Sequence, residues 1–269
     1  MRPSGNSPRA AAEGKHDPRH GNRRFGVETI CGRRDHHGHR GRVLRIHRGP
    51  LSHLGSATSG AATAQPVSDS LNGGRYLFGP FGHTPSVDIV ATGPDGWVGY
   101  PSWAMDGPEP VRADAPAGIG ISFFTANGLY SDPCHWDARG TGDAGTPGDV
   151  KVGPGVDDLV AALRANTFYT STAATPVTID GYAGQELELQ LPDDPYTKCD
   201  KDDPSDSGGH EFVFSGPGLY APGRANRWHL YILDVQGTRL IAVILSYRKT
   251  PQSDLDLARN IIETMDINS

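Results

Sequence analysis

The sequence has no apolar run of the length a membrane-spanning helix needs, so no helical span lies within it. Arg2 and Arg9 stand near the start, but no apolar stretch follows them and no signal peptide is legible. The Gly-x-Ser-x-Gly elbow, the phosphate-binding glycine loop, His-Glu-x-x-His and the dinucleotide fingerprint are all missing. Their absence removes the enzyme classes that announce themselves by local motif. Aromatic residues are almost absent from the first 60 positions, where Phe25 stands alone. That stretch also lacks helical or strand periodicity, so it buries too little apolar surface to offset chain entropy and is expected to be disordered.

What the first 60 residues do have is positive charge. Twelve Lys and Arg face four Asp and Glu, a balance of +8, and seven of the eleven histidines lie here. The rest of the chain carries −14, so the net −6 conceals two unlike parts. Three readings of the tail compete: a basic arm for nucleic acid or anionic lipid, a His-rich metal tract, or upstream sequence read through a misplaced start. No aromatics interleave with the basic residues for base stacking, so a nucleic-acid partner is not expected. Residues 56–70 are small and polar and read as a linker. The expected division is a basic tail and linker over 1–70 and a single domain over 71–269.

Within the second part, Val87–Thr92, Trp97–Tyr100 and Gly118–Thr125 read as strands. Gly93-Pro94-Asp95-Gly96 is a turn, and Asn127-Gly128 is a hairpin-type turn leading into Leu129-Tyr130. Val156, Leu159, Val160 and Leu163 fall at i, i+3, i+4, i+7 and predict a helix. Val177–Ile179, Glu186–Leu191 and His210–Phe214 alternate as strands. Trp228–Val235 and Leu240–Tyr247 flank Gln236-Gly237 as a hairpin, the second strand apolar on both faces and therefore central. A closing helix is expected, with Ser253 as N-cap, Asp256 completing a capping box, and Leu257, Ile261, Ile262 and Met265 as its apolar face. The fold class is α+β: a twisted, mostly antiparallel sheet with helices packed on it.

The segments Tyr130–Trp136, Val156–Leu163, Val177–Gly184 and Leu233–Leu240 resemble a group of uncharacterised actinobacterial extracytoplasmic domains. The element order is similar to the PsbP-like fold shared by LpqN-type lipoproteins. The resemblance implies a secreted or envelope-attached module without established catalysis. It also implies a small molecule or a cell-envelope protein as partner, and membrane attachment only through an anchor not visible in this chain. Fold analogy by itself licenses no activity.

Cys134 and Cys199 are the two cysteines of this part, in Asp132-Pro133-Cys134-His135 and Lys198-Cys199-Asp200, and Cys31 lies in the tail. A structural disulfide between Cys134 and Cys199 is the favoured reading in an oxidising compartment, with two free thiols as the alternative. Zinc on Cys134, His135, Cys199 and His210 matches no known ligand spacing. The acidic loop from Pro192 to Gly209, with Asp193, Asp194, Asp200, Asp202, Asp203 and Asp206, lacks calcium-loop spacing and reads as solvated. No cofactor or metal is expected. Trp97, Trp103, Trp136, Tyr220 and Trp228 mark a binding surface if exposed and core if not. The functional expectation is a non-enzymatic binding or sensing module. The alternative is a loop-based hydrolase or metal-dependent enzyme using His135, Asp137 and His210, which gains if those residues converge while Cys134 is unpaired.

Overall fold

The computed structural model describes residues 64–67, 70–81, 87–100, 103–111, 116–137, 148–193, 198–201, 209–216, 220–221 and 225–268. The tail reading for residues 1–63 falls outside them. In chain order the described elements begin with β1 (Gln65–Pro66), β2 (Gly74–Phe78), β3 (Asp88–Gly93), β4 (Val98–Tyr100), β5 (Ala104–Asp106), β6 (Ile119–Phe124), β7 (Gly128–Leu129) and β8 (Val150–Lys151). Next come α1 (Val156–Ala165), β9 (Thr170–Ser171), β10 (Thr175–Ile179), β11 (Tyr182–Gln190), β12 (Glu211–Phe212), β13 (Phe214–Ser215) and β14 (Tyr220–Ala221). The last are β15 (Arg227–Val235), β16 (Thr238–Ser246), α2 (Gln252–Glu263) and β17 (Asp266–Asn268).

The main sheet runs β10-β11-β15-β16-β6-β5-β4, antiparallel throughout, with β9 also paired to β11. Two tight turns set its register. Asp180 and Gly181 both have positive φ (49° and 81°), as do Gln236 and Gly237 (53° and 83°), the paired left-handed geometry that matches strand twist in a two-residue hairpin. Strand β16 is central because its two faces serve two cores. Leu240, Ala242 and Ile244 join one apolar cluster with α2, while Ile241, Val243 and Leu245 join the other with α1. That explains why the sequence is apolar at consecutive positions there.

On the α2 side a second sheet, β1-β2-β3-β17, closes the core with Tyr76, Phe78, Ile89 and Ile267. On the other side α1 seats Leu159, Val160 and Leu163 against Leu187, Leu189 and Trp228. Arg239 is buried, and its guanidinium donates to the carbonyls of Gly153 and Gly155 (2.6 and 2.9 Å) and of Ala126, tying the entry of α1 to the end of β6.

Four expectations need correction. Gln65–Pro66, placed in the linker, pairs in parallel with Tyr76-Leu77, and Val67 packs on the core, so ordered structure begins before Leu71. Asn127-Gly128 turns the chain but builds no hairpin with β6; β7 pairs instead with β8 and β13. His210–Phe214 is not one alternating strand: it breaks into β12 and β13, and Glu211 to Ser215 are all buried. Ser253 does not cap α2, because Pro251 holds the N-cap position and Ser253 lies inside the first turn. The helix consequently buries Ala258, Ile261 and Ile262, leaves Leu257 exposed, and ends before the buried Met265.

Candidate functional site, a disulfide-closed loop cluster

Past β7 the chain enters Ser131–Asp137, a segment whose shape follows from Asp132. Its Oδ1 accepts hydrogen bonds from the backbone N–H groups of Cys134 (3.0 Å) and His135 (3.1 Å). This is the side-chain-mimicked turn that Asp favours. The turn places the His135 ring beside the same carboxylate, Nδ1 to Oδ2 at 2.9 Å.

Three loop segments then lie side by side. The Phe212 N–H donates to the Pro133 carbonyl (2.9 Å), the Asp200 N–H to the Cys134 carbonyl (2.8 Å), and the His210 N–H to the Asp200 carbonyl (2.9 Å). The Asp137 N–H donates to Asp200 Oδ2 at 2.8 Å, and the Trp136 indole N–H to the His210 carbonyl at 2.9 Å. Cys134 and Cys199 are joined as a disulfide, with Cα atoms 4.4 Å apart across 65 residues of sequence. Gly209 is required where the segments meet, since a Cβ there would stand 2.1 Å from the Cys199 carbonyl oxygen. Underneath, Trp136 packs edge-on against Phe212 (4.8 Å) and near Tyr130 (6.4 Å), a small apolar cluster of its own.

The electrostatics follow from the turn. Burial pushes the Asp132 carboxyl up, but the hydrogen bonds from the His135 ring and from the His135 and Cys134 backbones outweigh it and hold it below the usual carboxylate range. Its hydrogen bond and charge, with Asp200 adding, raise His135 above the ordinary imidazole value. The His135 side chain is 61% exposed, so the patch presents an imidazole with its proton favoured toward solvent.

The structure thus gathers six of the residues singled out from the sequence. Cys134 and Cys199 are bonded to each other, His135 is exposed, and Asp137 and His210 sit half-buried beside the buried Trp136. Because both sulfurs are in the disulfide, neither is a thiolate for zinc or a nucleophile. Among the described residues no group of three His, Cys, Asp or Glu is arranged to hold a metal ion. Asp194, Asp202, Asp203 and Asp206 lie outside the described residues, as does Cys31.

The tryptophans do not form a surface. Trp97, Trp103, Trp136 and Trp228 are only 3, 7, 4 and 0% exposed. Trp228 stacks on Phe214 and donates its indole N–H to Asn226 Oδ1; Trp103 lies against Phe81. Tyr220 pairs through its backbone with Phe212. Asp132 stands in the sequence only as a neighbour of Cys134, and Asp200 as part of an acidic loop, although an Asp two positions before a cysteine in Asp-Pro-Cys-His signals a side-chain-capped turn.

No family model and no curated protein matches the chain. Among solved structures it is similar to LpqN, involved in cell envelope biogenesis of Mycobacterium tuberculosis, with a TM-score of 0.35 and 12% identity over 72% of this chain and 91% of that one.

Proposed function

We propose that the chain is a non-catalytic extracytoplasmic binding or sensing module of the PsbP-like, LpqN-type lipoprotein class, related to the actinobacterial domains it resembles. Its recognition surface is the loop cluster closed by Cys134–Cys199, and its partner is a small molecule or a cell-envelope protein. The observation that carries this reading is the disulfide between two long polar loops. Such a cross-link persists in oxidising compartments and is rare in the cytosol. It also fixes His135 at the surface on backbone that has little apolar packing of its own.

The hydrolase reading draws on the convergence of His135, Asp137 and His210, and that convergence is partial. The nucleophile it would most readily use, Cys134, is oxidised in the disulfide with Cys199. A direct test incubates the full chain with envelope extract and with ester, phosphate, peptide and glycoside reporter substrates. The account expects a co-purifying small molecule or envelope protein that is lost in the Cys134→Ser/Cys199→Ser variant, and no turnover. Turnover abolished by His135→Ala would overturn it in favour of the enzyme.

A further inference from the structure

A second polar constellation lies on the α2 side of the main sheet and shares no residue with the disulfide loops. Helix α2 packs over β16, β6 and β3, leaving the outer strands of that face beside its flank. There the register sets Glu188 opposite His229 and Glu186 opposite Tyr231. Nε2 of His229 is 2.9 Å from Glu186 Oε2, and Nδ1 is 3.3 Å from Glu188 Oε1. Thr175 donates to the other Glu186 oxygen at 3.1 Å. From the helix, Arg259 reaches Glu188 (3.7 Å) and Asp256 (3.5 Å).

At the centre is Tyr231. Its ring stacks on His229 with centroids 4.7 Å apart, the residue is 1% exposed, and its hydroxyl has no hydrogen-bond partner among the described residues. Burial and the neighbouring charges of Glu186, Glu263 and Glu188, opposed by Arg259, push this phenol above its ordinary range and keep it neutral. An unpartnered buried hydroxyl is costly, and a phenylalanine would fill the same apolar space without it. The hydroxyl is therefore open to a partner that the described residues do not supply. The charges around it select the kind of partner. Glu186, Glu188, Glu263 and Asp256 set four carboxylates against the guanidinium of Arg259.

We propose that this strip between α2 and β11 binds a small organic cation, a primary ammonium. Its N–H groups are accepted by Glu186 and by the Tyr231 hydroxyl oxygen. Arg259 and Glu263, long side chains on the exposed edge of α2, move aside to admit it.

The test titrates the full chain with ethanolamine, with putrescine, and with ethylene glycol as a neutral control, followed by calorimetry and by NMR of the His229 and Tyr231 rings. The expected result is saturable amine binding, weakened at high salt, with no response to the glycol. Tyr231→Phe and Glu186→Gln should each raise Kd at least tenfold, while Cys134→Ser/Cys199→Ser leaves it unchanged. Failure of the disulfide-loop reading would not alter this outcome. Absence of saturable amine binding, or binding indifferent to Tyr231→Phe, would overturn the proposal and leave the hydroxyl to a buried water. Tyr231→Phe removes one oxygen and keeps the ring, so folding is retained and either result is decisive.

Discussion

Asp106 illustrates how a single side chain sets a pH response. Its carboxyl is packed so closely over Gly120 that a Cβ there would come within 2.4 Å of it, and it accepts a hydrogen bond from the Tyr100 hydroxyl at 2.9 Å. Burial, only partly opposed by that bond, pushes the carboxyl up to about 7. The folded state then holds a proton that the unfolded chain releases near pH 4. This group's contribution is full at acid pH and is lost as pH rises from about 4 to 7, on the order of 2–4 kcal/mol. Asp106→Asn keeps an acceptor for Tyr100 and removes the titration. Chemical denaturation from pH 4 to pH 8 should show the variant gaining on the wild type toward high pH; parallel curves would contradict the assignment. At the loop cluster, Gly209→Ala should cost about 1–3 kcal/mol, because its Cβ meets the Cys199 carbonyl and the segments must separate. An unchanged melting temperature would show that the close approach is not needed.

Among the elements, the disulfide loops make the sharpest energetic claim. Closing 65 residues restrains the unfolded chain by about 4 kcal/mol on the chain-entropy view. Cys134→Ser alone should therefore lower the melting temperature as far as the double serine variant does; a single variant close to wild type would contradict a stabilising bond. How much of this was legible in the sequence varied with how local the cause is. The Gln236-Gly237 hairpin and the central β16 were readable, since turn chemistry and two-faced apolarity reside in the residues themselves. The same dipeptide logic misled at Asn127-Gly128, because a turn signal says that the chain bends and not which strand it meets next. Ser253 looked like a cap, but Pro251 is fixed at the φ that a cap position accepts and starts the helix earlier. Exposure of the tryptophans depends on distant partners such as Phe214 and Phe81, which no local window contains. The pairing of Cys134 with Cys199 was readable from count and context and the Asp132 turn has a local signal, whereas the Asp200 bond to the Asp137 backbone joins distant segments and has none.

Across the described domain, one antiparallel sheet separates two apolar cores; the disulfide loops lie outside both, whereas Tyr231 belongs to the core on the α2 side. The loop cluster has its own small apolar base of Tyr130, Trp136 and Phe212, so it is held by the disulfide more than by either core. The proposed recognition surface therefore depends on Cys134 and Cys199 being oxidised. The measurement that bears on it most directly is a thiol count by mass on the full chain, isolated from its native compartment and alkylated before and after reduction. The account predicts that Cys134 and Cys199 resist alkylation until reductant is added and then label together. Both cysteines labelled without reductant would contradict it, and would return Cys134 to the position of a reactive thiol beside His135.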